Sequence, residues 1–485
     1  MAADVSEGMP VRVVLLAELL RLILSLGALA GAPAPPPRIL AVLRKLDRIE
    51  ARPRWPGFEP RKIPIEVFDG AHTWLVRHPN PPVEFRASAG GKDVRAFDGR
   101  HASLRANTSI TLAGVLTATA SREGRAEGPR RQAGLLVHEI FHVFQAQRHP
   151  KWGGNEVEQL IYPSEDAEVL AQRRLESTAL RRALSAENRG TACGWAARAL
   201  AARHERFDRL TEAAATYERG TELKEGLARY VEAKAAGDGA TLLPEVEFPP
   251  DGVRLRAYDS GAAIGLLLDR LDPSWKSRLE QKDDTPLDEL LRRAVAGFEA
   301  MTFSGSEEEA ARRRAAQDVK AMDGRRAALR RDFLEAPGWT VVVEAENPVF
   351  PQGFDPWNVD RLTASEVLHT RWIKLGNDSG SLEVLGRRCL TESAGKHPLF
   401  EGIRRATVTG LPAEPQVEET AGAVKVSAEG LALEFRGGRV SRAGQTLTVT
   451  LRGPAPVARS DESRSFASLR MTGARAPSTH PPRDE

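Results

Sequence analysis

The chain has 485 residues, 41% of them apolar and 28% charged, with a formal net charge of +3 at pH 7. That length supports two or three packed cores, and Lys and Arg interleaved with Asp and Glu at near-neutral balance exclude a nucleic-acid footprint. Two cysteines, Cys193 and Cys389, exclude a disulfide scaffold and a cysteine-rich structural zinc site.

The first apolar run, VRVVLLAELLRLILSLGALA from Val11 to Ala30, precedes a Gly-Ala-Pro-Ala-Pro-Pro-Pro linker. Residues 1–37 thus read as a leader plus the Pro-rich linker: the run resembles a signal peptide with an Ala28-Leu29-Ala30 cleavage site, which implies export. Glu18 and Arg21 interrupt it, and the competing reading is an amphipathic helix docked on a protein that stays in the cytoplasm. No other segment reaches the roughly 18 apolar residues needed to cross a bilayer, so no integral membrane span is expected once a leader is removed. From Ile63 to Leu116 apolar and polar residues alternate between Gly, Pro and Asn breaks, which predicts several short strands. The stretch Ser103 to Gly114 is the best candidate for an edge strand, and an ordinary strand inside the sheet is the preferred reading of it.

The next segment carries a chemistry. LLVHEIFHVF places His138 and His142 four residues apart, on one face of a helix where both imidazoles can reach one zinc ion. Glu139 lies between them, where a general base for zinc-activated water belongs. Ala133, Val137, Ile140, Phe141 and Phe144 recur at spacings of three and four and give the helix an apolar back; Pro129 sits near its start and Pro150 beyond its end. The competing reading is a helix with two ordinary surface histidines. A catalytic zinc takes three protein ligands, so a third residue is needed. Gln145 and Arg148 stand where an extended HExxHxxGxxH pattern would carry glycine and histidine, and the third ligand is therefore expected to be a carboxylate.

Residues Ala167 to Ala236 are rich in Ala, Leu, Arg and Glu and predict a set of helices joined near Gly190 and Gly220. Two acids within them compete for the third position. Glu176 in RRLESTALRRAL lies among arginines that suggest a solvated, ion-paired face. Glu225 in TELKEGLARYVEAKA has Gly and Ala neighbours that permit close helix packing, and is preferred.

The words KEGLARYVE resemble the Asn-Glu-Gly-Phe-Ala-x-Tyr-Val-Glu phrase of gluzincin metallopeptidases of the aminopeptidase branch. That resemblance implies a two-histidine, one-glutamate site holding one zinc ion, with Glu225 as the third ligand and Glu232 able to orient a histidine from two turns away. Tyr258, Asp259, Ser260, Gly261 and Ala262 are similar to a Tyr-x-Lys-Gly-Ala phrase whose tyrosine donates to the oxyanion, with Ser260 in place of lysine. In zincins a sheet precedes the metal helix and its edge strand pairs with an extended peptide, which implies a peptide or protein substrate. The resemblance spans roughly Leu135 to Lys276. Two departures stand out: the chain between His142 and Glu225 far exceeds the branch's short spacer, and the Gly-x-Met-Glu-Asn phrase that captures a free amino terminus is absent.

Beyond this region, a charged helical run from Glu307 to Leu334 predicts a connector. After Trp339 short β-branched runs such as TVVVEA, AVKVSA and TLTVTL predict a sandwich or barrel-like β domain, and the Pro-, Ser- and Arg-rich end from about Ala455 a disordered tail. The expected fold class is α+β. A zincin-like catalytic domain over residues 38–300, built of a short sheet plus helices with a helical insert, precedes a connector at 301–338, a β-rich domain at 339–455 and a tail at 456–485. The expected activity is zinc-dependent peptide-bond hydrolysis by a metallopeptidase. A non-proteolytic zinc hydrolase and a catalytically silent metal-binding scaffold are the alternatives, and the intact Glu139 argues against the latter.

Overall fold

The computed structural model describes residues 34–452 apart from 51–54, 90, 92, 105–106, 122–127, 238–241, 356–357 and 421. The apolar run expected to be a leader and the tail expected from 456 lie outside the described residues. The architecture is α+β with a β-rich C-terminal region, and among the described residues no helix is long and apolar enough to cross a membrane. The chain divides into two compact units, one holding residues up to 53 and 58–143, the other 54–57 and everything after 143.

In the first unit, helix α1 (Pro37–Glu50) buries Ile39, Val42, Leu46 and Ile49, an i, i+3, i+7, i+10 stripe that gives it one apolar face. Six strands follow: β1 (Ile65–Phe68), β2 (His72–Val76), β3 (Arg86–Ala87), β4 (Val94–Asp98), β5 (Thr108–Leu112) and β6 (Val115–Ser121). Their order in the sheet is β3-β4-β2-β1-β6-β5, antiparallel except where β1 meets β6. The short strands expected between Ile63 and Leu116 are therefore present, and β5, inside the candidate edge stretch, is an edge strand rather than an inner one. Ala113 at φ 43° and Gly114 at φ 80° make the tight turn from β5 to β6, a left-handed pair that suits a two-residue hairpin.

Helix α2 (Pro129–Arg148) carries the HExxH residues, and the division between the units falls inside this one continuous helix. Proline is tolerated at its first position because that N–H has no intrahelical partner.

The second unit continues with α3 (Ala167–Ser185), α4 (Arg189–Phe207), α5 (Glu212–Thr221), a π turn (Glu222–Gly226), α6 (Leu227–Ala236), α7 (Val253–Leu271), α8 (Trp275–Gln281), α9 (Leu287–Ala294) and α10 (Gly305–Leu334). The helices expected between Ala167 and Ala236 are present, with one correction. Gly220 is not a joint: it lies inside α5, where a Cβ would run into the main chain of Gly153 and Gly154, so its lack of a side chain serves packing, and the true break falls at Asp208–Thr211.

Charge organises the interior of this helical layer. Arg203 and Arg206 of α4 grip Glu176 of α3 from both sides, at 2.7 Å each; Arg203 reaches on to Glu222 at 2.6 Å and Arg206 to Glu218 at 2.6 Å. Arg256 of α7 adds contacts at 3.0 Å to Glu176 and 3.2 Å to Glu218. All six side chains are almost fully buried, so the face read as solvated around Glu176 is in fact an interior network. Charges taken this far from water survive only when paired and hydrogen-bonded on every side. Burial alone would raise both carboxyls, yet the surrounding guanidiniums win: Glu176 is held well below the ordinary carboxylate range and Glu218 is lowered to about 2.

The C-terminal region is built of β7 (Trp339–Phe354), β8 (Val359–Arg361), β9 (Glu366–His369), β10 (Trp372–Asn377), β11 (Gly380–Leu385), β12 (Cys389–Ser393), β13 (Ile403–Leu411), β14 (Gln416–Thr420), β15 (Ala423–Ala428), β16 (Leu431–Arg436), β17 (Gly438–Ala443) and β18 (Thr446–Leu451). The long β7 is shared: its first half pairs with β13 and β18, its second with β10, so both halves of the sheet close around one core. That core includes Val341, Val343, Ile373, Val384, Val408, Val426, Leu433 and Val449. Pro348 and Pro351 sit within β7, next to the register shifts in its pairing with β13 and β10, where a missing N–H is tolerated. Ser304 and Glu307 form a reciprocal capping box at the head of α10, which satisfies main-chain N–H groups left without helical partners there.

Candidate metal centre

α2 is helical because its buried stripe (Ala133, Leu136, Val137, Ile140, Phe141) repeats at helical spacing, which outweighs the weak helix propensity of Gly134 within it. His138 and Glu139 are buried at 5% and 4% exposure, and His142 is half-buried. The surface-histidine reading therefore fails. The His138 and His142 rings meet nearly edge to face, 83° between planes, with their Nε2 atoms 3.0 Å apart. Two ligands about 2.0–2.1 Å from a tetrahedral zinc stand roughly 3.3 Å apart, so this spacing already approximates a ligand pair.

Glu225 completes a set: one ligand atom from each of His138, His142 and Glu225 lies within 4.8 Å of the others, and this group could hold a metal ion. Two imidazoles aimed at one point and a carboxylate beside them match the donor chemistry of a two-histidine, one-carboxylate cation site. Among the described residues no other cluster of His, Cys, Asp or Glu is so arranged. Glu176 is not part of it, since Arg203 occupies its Oε1 and Arg206 its Oε2.

The placement of Glu225 is a matter of local backbone. The helix running from Glu212 to Ala236 widens into a π turn over Glu222–Gly226, a form found mostly as single turns at functional sites. Gln145, one turn beyond His142, donates from Nε2 to the carbonyls of Leu223 at 3.2 Å and Lys224 at 2.8 Å. The residue that breaks the extended histidine pattern thus docks the metal helix onto the ligand turn. On the turn's other side Gly226 meets Gly261 of α7 so closely that a Cβ on Gly261 would lie 2.8 Å from the Gly226 Cα. Gly226, one of the small neighbours that favoured Glu225, has this close approach as its reason.

Arg254 was not singled out by its sequence, and it is the main addition. It is buried, donates from Nη2 to Glu225 Oε1 at 2.9 Å and to the Tyr258 hydroxyl at 3.4 Å, and pairs through Nη1 with Glu156. Its i, i+4 spacing from Tyr258 on α7 was the available signal. Tyr258 is half-buried on the second turn of α7, so its hydroxyl is drawn to the same guanidinium as Glu225. Ser260, in place of the lysine of the resembled phrase, is fully buried and donates to Glu222 at 2.5 Å. Burial raises the Glu222 carboxyl above its ordinary range despite Arg203. Glu232 accepts from Arg229 at 2.7 Å, and Arg229 also holds Asp259 at 3.3 Å.

Compared with protein-family models, curated proteins and solved structures, the chain matches none.

Proposed function

We propose that this protein is a zinc-dependent peptidase of the gluzincin kind. The observation that carries the reading is the convergence of His138 and His142 with Glu225, an acid far downstream, beside a buried Glu139 on the same helix. When bound, the zinc ion lowers the pKa of water toward about 7 and polarises the substrate carbonyl.

The protein's own groups do the rest. His138, His142 and Glu225 hold the ion. Glu139 takes the proton of the attacking water and passes it to the leaving amine. Its burial keeps that carboxylate away from bulk solvent. Tyr258 donates a hydrogen bond to the charge that develops on the carbonyl oxygen, an interaction whose loss typically costs about 100- to 1000-fold in rate. The edge strand β5 has one side on which an extended peptide could pair.

Glu139→Gln tests the role of the base. It preserves shape and should keep zinc content while abolishing cleavage of a peptide library. A variant that cleaves as fast as the parent would remove Glu139 from the mechanism and the peptidase reading with it.

A further inference from the structure

We infer that the C-terminal β region positions the metal ligand Glu225, through the 3-10 turn Glu156–Ile161 and Arg254. The inference rests on the metal-binding reading above. It assigns Glu156, Leu160 and Arg254 as positioning residues and gives the β region a part in zinc binding.

The connection can be followed atom by atom. Leu160, at 7% exposure, is a member of the β region's apolar core, although it lies in the helical part of the chain before α3. Two further contacts hold the same turn: Arg361 of β8 donates from Nη1 to the Leu160 carbonyl at 2.9 Å, and the His397 Nε2 lies 3.2 Å from the Val157 carbonyl. The His397 Nδ1 accepts from the main-chain N–H groups of Leu399 and Phe400 at 3.1 and 3.0 Å, so its other nitrogen must be the donor to Val157. Arg361 also pairs with Glu165, just beyond the turn.

Glu156, the first residue of that turn, pairs with Arg254, and the same guanidinium holds Glu225 Oε1 at 2.9 Å. A planar guanidinium bound on two edges has its orientation fixed, and it passes that orientation to the carboxylate it grips. Glu156 does more than orient. It shares the positive charge that would otherwise fall wholly on Glu225 and compete with a cation there. Both effects run in one direction: loosening the turn, or removing the Glu156 charge, weakens cation binding at His138, His142 and Glu225. The residues that orient metal ligands from behind typically carry about 10- to 100-fold in affinity.

The experiment measures the zinc dissociation constant of the full chain by competition with a chromophoric chelator, at a temperature where circular dichroism shows every variant folded. Glu156→Gln and Leu160→Ala are each expected to bind zinc about tenfold or more weakly than the parent, and Leu160→Met, which restores most of the volume, to recover affinity. Val426→Ala opens a cavity in the same β core on β15 and should leave the constant within threefold. If Leu160→Ala does not fold, Glu156→Gln alone decides. Zinc constants within threefold of the parent for Glu156→Gln, or an equal loss in Val426→Ala, would overturn the inference while leaving the metal site intact. A parent chain that binds no zinc would instead overturn the metal reading itself, and this inference with it.

Discussion

Adding one methyl group at Gly261 tests how tightly the ligand turn is held. A Cβ there would lie 2.8 Å from the Gly226 Cα, 2.9 Å from the Glu222 carbonyl oxygen and 3.1 Å from the Glu222 Cα, all main-chain atoms, whereas ordinary van der Waals contact begins near 3.4 Å. Main chain cannot rotate away as a side-chain tip can. α7 and the π turn must therefore part by about 0.6 Å, the difference between 3.4 and 2.8 Å. Metal sites tolerate ligand displacements of only about 0.2 Å, so a shift of this size beside Glu225 should weaken zinc binding roughly 10- to 100-fold. Stability is pulled two ways. Alanine gains about 1 kcal/mol of helix propensity over glycine, and overpacking of this severity costs roughly 1–3 kcal/mol, so Gly261→Ala should be net destabilised by up to about 2 kcal/mol in urea unfolding. Gly324→Ala supplies the contrast, because that exposed position in α10 has nothing within 4 Å of a new Cβ and should gain roughly 0.5–1 kcal/mol from propensity alone. A Gly261→Ala variant stabilised like Gly324→Ala, with unchanged zinc affinity, would refute the close approach of α7 to the ligand turn.

Two other outcomes follow from buried charge. Arg206→Met removes one of the two guanidiniums that Glu176 and Glu218 share in the interior and leaves Arg256 alone to bridge them, and should cost about 3–5 kcal/mol in urea unfolding; a loss below about 1 kcal/mol would mean the network is reached by water. His369 is fully buried in β9, its Nδ1 without a hydrogen-bond partner among the described residues, and burial lowers its pKa to about 3. The folded ring stays neutral while the unfolded ring titrates near 6.5, so the unfolded state binds the extra proton between pH 6.5 and 3 and stability falls with pH across that window. At pH 5 the deficit relative to pH 7.5 is about 2 kcal/mol, and the His369→Gln variant should lose that pH dependence; parent and variant with the same slope between pH 7.5 and 5 would show that the ring is protonated in the fold.

The metal helix was legible because everything that defines it is local: the apolar stripe, the four-residue histidine spacing and the Pro129 start all lie within twenty residues. The strands before it were legible for the same reason, whereas the edge position of β5 was not, because it depends on which strands pair across the sheet. What the sequence hid was decided by partners distant along the chain. Glu176 carries the arginine-rich neighbours of a solvated face, and only the packing of α3, α4 and α7 shows that its pairs are buried. Gly220 reads as a break because glycine usually is one, yet it serves a close approach to Gly153 inside a helix. The π turn has no local signature; Gln145, which supplies donors to two of its carbonyls, comes from far upstream. Arg254 and Glu156 are ordinary charged residues until the fold sets them between Glu225 and the β region. In β7 two prolines divide one sixteen-residue strand into what reads as separate short runs.

Metal content is the most direct test of the site. Elemental analysis of the full chain, loaded with zinc and freed of excess by gel filtration, should find about one ion per chain in the parent and well below half of that in both His142→Ala and Glu225→Ala, each shown folded by circular dichroism. A Glu225→Ala variant that retains a full equivalent of zinc at parental affinity, or a parent that retains none, would contradict a metal centre built from His138, His142 and Glu225.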